Sequence, residues 1–230
     1  YGFDVNEIDE VCEILKKNDK LKVLSICSHL SSANDLSKSE ETLSQISIFE
    51  ETAAKIEKKL SCNFNKHILN SSGLLHFPDK IFNMVRLGIS LYGSYRNKNL
   101  LEISKLKSVI SQNRNIKKGA GVGYSSEFKA KKDMNISVVP VGYADGLNRR
   151  FGEGVGSVLV NGVLCTIIGK ICMDSFIIDT TQINCKEGDE VEIFGEGNSI
   201  LKISKDLQTI PYEIYSTINR RIKRVYIGNL

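Results

Sequence analysis

The pattern of apolar residues changes near residue 98, and this change limits the possible folds more than any other feature of the sequence. Before it, amphipathic segments such as "EIDEVCEILKKN" (7–18) alternate with short apolar runs such as "LKVLSICSHL" (21–30). A helical period followed by a short apolar run is typical of parallel β-α-β units. We therefore predict a domain over residues 1–97 in which strands and helices alternate.

Beyond residue 98 the long helical periods disappear, and short runs of strand-forming residues take their place. Turn-forming pairs such as Asn161-Gly162 separate these runs, which favours hairpins. This pattern predicts a second, mostly β domain over residues 98–230. The runs lie at 106–112, 122–128, 135–142, 157–168, 170–179 and 190–195.

Three further elements are expected in the first domain. Residues 37–60 carry apolar side chains at helical spacing, and Ser37 with Glu40 three residues later is typical of a capping box. "FNKHILNSSG" (64–73) is expected to form a strand and then a turn, and "NMVRLGISLYG" (83–93) a further buried strand.

The composition excludes several classes of protein. Of the 230 residues, 41% are hydrophobic and 25% are charged, which is ordinary for a globular protein. The net charge of +4 is small and scattered, so no nucleic acid is expected as a partner. No apolar run approaches the length of about 20 residues that a membrane span needs. Six cysteines without a CxxC pair predict no metal site but reduced, buried thiols, such as Cys27, in a cytoplasmic protein.

Polar residues follow the predicted strands of the first domain at the point where each strand ends. Ser28 and His29 follow one run, Asn70 and Ser71 the next, and Arg86 lies in the third. Ligands of parallel α/β folds bind at the carboxyl ends of the strands. These residues are therefore candidates for a binding site.

A second candidate lies in the β domain, where "GVGYSSEF" (121–128) places Tyr124 between glycines and serines. A tyrosine of the core usually has apolar neighbours, and this one lies in a flexible, polar turn. Glycines allow the backbone to pass close to a ligand. The residue type alone leaves two interpretations open, a surface aromatic residue and a functional phenol.

Seven stretches occur in order along the chain: "SHLSSAND" (28–35), "NSSG" (70–73), "NMVRLGISLYG" (83–93), "VGYSSEF" (122–128), "PVGYADGLNRR" (140–150), "GKICMD" (169–174) and "TIPYEI" (209–214). Together they resemble alanine racemase, a fold-type III enzyme that uses pyridoxal 5′-phosphate (PLP). The resemblance implies the C-terminal part of a TIM-like (β/α)8 barrel followed by a separate, mostly β domain. The family's PLP lysine lies in a "VKANAYGHG"-like motif, which this sequence does not contain, and "YGF" resembles the end of the family's "MNR-[LY]-GF". The chain is therefore expected to be the C-terminal portion, inactive by itself.

The resemblance also implies roles for single residues in the interconversion of L-alanine and D-alanine. Tyr124 would be one of the two bases, helped by His29 and Arg86, and Arg86 would face the pyridine nitrogen of PLP. Met173 would offer its backbone N–H to the substrate carboxylate, and Tyr143 and Asp174 would narrow the access for substrates. The residues implied for binding the cofactor phosphate are Ser71, Gly88, Ile89 and Tyr212.

The same resemblance implies a head-to-tail homodimer in which Tyr124 acts on the partner subunit's cofactor, and a product, D-alanine, that supplies peptidoglycan. Two departures stand out: Lys170 replaces a frequent arginine, and Ser125 follows the tyrosine where glycine is usual. Two alternatives remain open. One is a racemase or decarboxylase of the same fold type that acts on another amino acid, although a decarboxylase would place an acid where Arg86 lies. The other is a non-catalytic module derived from a racemase.

Overall fold

The computed structural model describes residues 1–95, 97 and 99–228, and the chain divides into two compact units, Tyr1–Leu91 and Tyr92–Leu230. The predicted domain boundary, residue 98, lies outside the described residues. No helix in the described part of the chain has both the length and the apolar character that crossing a membrane requires.

The first unit is built around two short parallel strands. In the sheet, Ser25 pairs with Asn65 and Cys27 pairs with His67. The longest helix places Ile46 and Phe49 against Ile68, the residue that follows the second strand. The helices are α1 (Ile8–Lys16), α2 (Ser39–Leu60) and α3 (Ser71–His76), the strands are β1 (Ser25–Cys27) and β2 (Asn65–His67), and 3-10 turns cover Val5–Glu7, Leu36–Lys38, Pro78–Lys80 and Ile89–Tyr92.

The capping box predicted at the start of α2, Ser37 with Glu40, was wrong. The helix begins at Ser39, and Ser37 belongs to the preceding 3-10 turn. The Asp35 carboxylate accepts the Ser37 N–H at 3.0 Å and caps this 3-10 turn. The N-cap of α2 is Lys38, whose side chain makes no capping hydrogen bond.

The segments after β2 also differ from expectation. "NSSG" is the start of α3 rather than a turn, because Asn70 Oδ1 accepts the Gly73 N–H at 2.8 Å and caps the helix. Residues 83–93 contain no strand in the described structure. The N–H groups of Asn83 and Met84 both bond to the Lys66 carbonyl, so the alternation of a strand ladder is lost.

Cys27, predicted to be buried, is exposed. In β1 only the central residue, Ile26, points partly inward, and the residues on either side face the solvent. The alternation of side chains along a strand explains the error, because an apolar run was read as if both faces were covered.

The second unit holds a seven-stranded antiparallel sheet with the order β3-β11-β8-β9-β10-β7-β4, and a separate pair, β5-β6. Two helices follow the last strand. The strands are β3 (Leu106–Val109), β4 (Gln112–Ile116), β5 (Gly121–Val122), β6 (Phe128–Lys129), β7 (Met134–Val139), β8 (Ser157–Val160), β9 (Val163–Ile168), β10 (Phe176–Asp179) and β11 (Glu190–Phe194), and the helices are α4 (Ile200–Asp206) and α5 (Pro211–Thr217).

Turn chemistry explains where these strands end. Asn161 and Gly162 both adopt left-handed backbone angles, with φ of 49° and 79°, and they close the β8–β9 hairpin as the sequence predicts. The run 122–128 is not one strand, because a 3-10 turn at Tyr124–Ser126 separates β5 from β6. The run 170–179 forms a strand only from Phe176, so the residues before it are a loop.

The larger of two apolar clusters in the second unit lies in its sheet. Val158, Ile167 and Ile178 are fully buried in the sheet, and Ile200 and Ile203 of α4 cover one part of it. Burying an aliphatic side chain contributes about 1.5–3 kcal/mol to folding. The loops that carry Tyr124, Tyr143 and Met173 are therefore attached to the most rigid part of this unit.

Candidate active site

The guanidinium of Arg86 lies at the carboxyl ends of β1 and β2. Its Nη2 donates to the Ser28 carbonyl at 2.6 Å, and its Nη1 donates to the His67 carbonyl at 3.1 Å. The Ser28 carbonyl follows the last residue of β1, and the His67 carbonyl belongs to the last residue of β2. The side chain is half-buried and is held at two strand ends, so its position is determined by the backbone.

The side chain of His67 also contacts the Arg86 guanidinium, which the sequence alone did not predict. Its Nδ1 lies 2.5 Å from Arg86 Nη1, and a guanidinium can only donate, so Nδ1 is the acceptor. Burial and then the neighbouring Arg86 lower the pKa of His67 below its ordinary value. His67 is therefore a neutral imidazole that holds Arg86. It lies at the end of β2 and not after it, which is why a search of residues beyond the strands did not find it.

His29 lies on the other side of the guanidinium. Its Nδ1 is 3.3 Å from Arg86 Nη2, and its Nε2 is 3.5 Å from Asn70 Nδ2. Since Arg86 only donates, Nδ1 is the acceptor of that contact, and the Asn70 amide nitrogen likewise presents a donor to Nε2. His29 is exposed.

A cluster of small polar groups lies around Ser71, at the start of α3. The buried Ser71 Oγ accepts from the Gly88 N–H at 2.9 Å and from Ser90 Oγ at 3.0 Å. Ile89, which lies between these donors, is buried in its 3-10 turn. Ser71 Oγ, which accepts both of these hydrogen bonds, still has its own O–H to donate, and a hydroxyl can donate to an oxygen of a phosphate group. Ser90 was missed, because a single serine in an apolar run gives no pattern.

Tyr212, the remaining residue expected at a phosphate, lies in the second unit. It is the second residue of α5, which begins at Pro211, and its side chain is 46% exposed. Proline suits this position because the first residues of a helix have no acceptor for an N–H.

Tyr124 is an exposed residue of a strained turn in the second unit. Gly123 precedes it with φ of 75°, and Ser125 and Ser126 follow with φ of 61° and 48°. The ring is 70% exposed, so the side chain contributes little to the core. Non-glycine residues rarely adopt such angles, and strain of this kind concentrates at functional sites. The exposure fits a surface aromatic residue and a functional phenol equally well, and the strain of the turn is what favours the functional phenol.

Lys170 is tied to the same turn region. Its Nζ lies 2.5 Å from Glu127 Oε1, and this hydrogen bond lowers the pKa of Glu127. The cation that replaces the family's frequent arginine is therefore paired with a carboxylate one residue beyond the Tyr124–Ser126 turn.

Two loops of the second unit lie side by side, residues 142–147 and 169–175. The Tyr143 N–H donates to the Cys172 carbonyl at 3.1 Å, and the Ala144 N–H donates to the Met173 carbonyl at 3.0 Å. Over residues 99–228, the structure shows no acceptor for the Met173 N–H. The side chains of Tyr143 and Met173 are both exposed. A free donor between two exposed side chains is suited to bind a small anionic ligand.

Asp174 is engaged by a residue that the sequence analysis did not identify. Arg221 Nη2 donates to Asp174 Oδ1 at 2.7 Å, and Arg221 Nε donates to the buried Asp145 Oδ1 at 2.5 Å. The hydrogen bond from Arg221 lowers the pKa of Asp145 and outweighs the effect of burial. Both carboxylates are therefore partners of one guanidinium. In the described parts of both units, no group of three histidine, cysteine or acidic residues could hold a metal ion.

Comparison with protein families identifies both halves of the chain. The family described as "Alanine racemase, N-terminal domain" matches residues 1–96, and the family "Alanine racemase, C-terminal domain" matches residues 103–226.

Curated relatives carry the same name. The chain is 35% identical over 235 residues to the alanine racemase of Helicobacter pylori strain J99, covering 94% of this chain and 62% of that protein. It is 35% identical over 236 residues to "Alanine racemase 2" of Caldanaerobacter subterraneus, covering 98% of this chain and 60% of that protein. The chain thus spans about three fifths of the length of these relatives.

Solved structures give a similar picture. Alanine racemase from D-cycloserine-producing Streptomyces lavendulae superposes with a TM-score of 0.92 at 28% identity, covering 100% of this chain and 63% of that one. Alanine racemase from Bartonella henselae with covalently bound pyridoxal phosphate has a TM-score of 0.85 at 32% identity, covering 98% of this chain and 63% of that one. These neighbours identify the first unit as part of a TIM-like barrel and the second as the accompanying β domain.

Proposed function

Because the chain belongs to the alanine racemase family, we propose that the whole protein interconverts L-alanine and D-alanine with PLP as cofactor. The observation that carries this proposal is the position of Arg86, whose guanidinium is held by backbone carbonyls at the carboxyl ends of β1 and β2. A permanent donor at this edge suits the pyridine nitrogen of the cofactor.

The residues of the first unit fit PLP at two separate points. Arg86 would donate to the ring nitrogen, and Ser71, Gly88 and Ile89 would surround the phosphate, with Tyr212 adding a hydroxyl. The convergence of donors on the buried Ser71 Oγ supports the phosphate assignment. When bound, PLP withdraws electrons from the Cα of the amino acid and so makes the Cα proton acidic.

Tyr124 is the residue of this chain that we propose removes or returns that proton. Its exposure allows the phenol to reach a ligand outside its own unit. A phenol acts as a base only where positive charge and hydrogen bonds hold its phenolate. His29 and Arg86 would provide both, directly or in relay. We propose a head-to-tail homodimer in which Tyr124 works at the partner subunit's cofactor.

The second unit would hold the substrate. The free N–H of Met173 would bind the carboxylate of alanine, while Tyr143 and Asp174 would leave room for little more than a methyl side chain. We further propose that the protein is cytoplasmic and that its product, D-alanine, supplies peptidoglycan.

A decarboxylase of the same fold type is the enzymatic alternative, and a racemase for another small amino acid is a close variant. Arg86 argues against a decarboxylase. Its guanidinium keeps its protons and only donates hydrogen bonds, so it cannot protonate the ring nitrogen as an acidic residue would. A non-catalytic module derived from a racemase is the third reading. The strained turn at Tyr124 argues against it, since strain without function would be costly.

The test of this function is Tyr124→Phe in the whole protein, with Tyr226→Phe, a strongly exposed tyrosine, as the matched control. Exchange of the Cα proton for deuterium is followed separately from L-alanine and from D-alanine. We expect Tyr124→Phe to slow exchange from L-alanine by about 10²–10⁴-fold and exchange from D-alanine far less. Equal losses from both enantiomers would contradict the assignment of Tyr124 to one face.

The 230-residue chain alone is proposed to be inactive, because it contains no "VKANAYGHG"-like lysine motif. Conversion of L-alanine to D-alanine by the purified chain would refute this. An absorbance scan for bound cofactor, with the chain and the whole protein side by side, would separate an enzyme from a non-catalytic module.

The domain boundary near residue 98 also remains a proposal. Limited proteolysis should yield a resistant piece that begins within 94–104, because the sheet of the second unit has its own core. Resistance of the first hundred residues together with digestion of the β domain would overturn it.

A further inference from the structure

Three segments of the second unit meet at the side chain of Arg221. They are the loop 142–147, which carries Tyr143, the loop 169–175, which carries Met173, and the segment 217–224 that follows α5. Arg221 donates through Nε to Asp145 in the first loop and through Nη2 to Asp174 in the second. One planar side chain therefore connects both proposed substrate loops from a third segment.

Asp145 is the fixed end of this connection. Its side chain is only 6% exposed, and each carboxylate oxygen has a partner. Oδ2 accepts the Gly142 N–H at 2.8 Å, and Oδ1 accepts from Arg221 at 2.5 Å. A buried carboxylate that loses one of these donors bears a large desolvation cost, so the arrangement is strongly specified.

The backbones around Asp145 pack closely against one another. A Cβ on Gly142 would lie 2.2 Å from the Met173 carbonyl oxygen, and a Cβ on Gly146 would lie 2.1 Å from the Thr217 carbonyl oxygen. The Asn219 N–H also donates to the Asp145 carbonyl at 2.9 Å. Movement of the Arg221 segment would therefore be transmitted directly to Tyr143 and Met173.

We propose that Asp145 and Arg221 are positioning residues, which hold the Met173 N–H and the Tyr143 phenol at the spacing that accepts an alanine carboxylate and methyl group. This inference rests on the function proposed above. Neither residue touches the substrate. Asp174 is the link between them and the loop of Met173, and its carboxylate is held by Arg221.

Loss of the Arg221 side chain should therefore affect the KM for alanine more than kcat. Without the Arg221 side chain, the two loops keep their own hydrogen bonds but lose the link that sets their spacing. A shift of about 1 Å at a binding group costs about 10²-fold. Arg221→Gln should raise the KM for alanine by about 10–100-fold and change kcat much less. The ratio of kcat/KM for alanine to that for serine should fall.

The experiment uses the whole protein with Arg221→Gln, Arg221→Lys and Asp145→Asn. Arg114→Gln, an exposed arginine on β4, is the matched control. Lysine can pair with one carboxylate but not both, so Arg221→Lys should lie between Arg221→Gln and the unmodified protein. Asp145→Asn places an amide N–H against the N–H of Gly142 or Arg221, so it should resemble Arg221→Gln.

A second readout does not depend on activity. Amide hydrogen exchange reports the N–H groups of Tyr143 and Ala144, which donate to the opposite loop. We expect these two amides to exchange at least about tenfold faster in Arg221→Gln, with no change in β7 or β10. Binding of propionate, which has the carboxylate and a short alkyl chain but no amine, should weaken in parallel.

Unchanged exchange at Tyr143 and Ala144 in Arg221→Gln would overturn the proposal, as would a loss confined to kcat. Uniformly faster exchange across β7 and β10 would also overturn it, because it would indicate a general structural role. If the unmodified protein does not racemise alanine, the proposed function fails, whereas the exchange measurement still decides whether Arg221 holds the loops.

Discussion

Gly146→Ala is the substitution that tests most directly how the segment after α5 is attached to the Tyr143 loop. Gly146 has φ of 102°, and an added Cβ would lie 2.1 Å from the Thr217 carbonyl oxygen. Non-bonded carbon atoms in ordinary contact are at least about 3.5 Å apart, so Thr217 would have to move by more than about 1 Å. That shift breaks the Asn219-to-Asp145 backbone bond and the bond from Thr217 Oγ1 to the Gly146 carbonyl.

The expected cost follows from two contributions. The left-handed backbone angle costs alanine about 1–2 kcal/mol. Two lost hydrogen bonds add about 1 kcal/mol each, so the free energy of unfolding should fall by about 3–4 kcal/mol. Gly154 provides the control, since it has a similar φ of 86° and nothing within 4 Å of its added Cβ. Gly154→Ala should cost only the first contribution.

Urea unfolding followed by circular dichroism measures both variants. The gain from restricting the unfolded chain is the same in each and cancels in the comparison. We expect Gly146→Ala to be about 2 kcal/mol less stable than Gly154→Ala, which corresponds to about 4–8 °C in Tm for a unit of this size. Equal losses in the two variants would refute the close approach of Thr217 and, with it, the rigid attachment of the Arg221 segment.

Three further outcomes are expected. Ser125→Gly should stabilise the protein by about 0.5–1 kcal/mol in thermal unfolding, because Ser125 has φ of 61°, which glycine adopts without strain. Burial and Arg86 lower the pKa of His67 in the folded protein, so the unfolded chain binds the proton first as the pH falls. The free energy of unfolding should therefore fall as the pH drops below about 6.5 and be unaffected above it. This pH dependence should weaken in His67→Gln, and its persistence in that variant would show that His67 does not cause it. Burial raises the pKa of Cys165 to about 11, so iodoacetamide at pH 8 should label the exposed Cys27 and spare Cys165, as mass spectrometry would show.

Local patterns were enough to predict the class of fold and several candidate residues. The change of apolar period separated an α/β part from a β part, and the fold class was confirmed by the structural neighbours. Asn161-Gly162 predicted a hairpin that the structure contains, because two left-handed residues in sequence suit one kind of turn. Each of these features depends on residues close together in the chain.

Where a feature depends on residues far apart in the chain, the prediction from sequence missed it or was wrong. Residues 83–93 were read as a strand, yet their N–H groups bond irregularly to the segment near Lys66, which only the packed unit determines. His67 holds Arg86 from 19 residues away, and Arg221 reaches Asp145 across 76 residues. The hydrogen-bond partners of a guanidinium depend on which acceptors lie close to it in space, and the periodicity of a sequence does not predict their positions. The sequence by itself therefore determined which chemical groups are available, and the tertiary structure decided which of them act on one another.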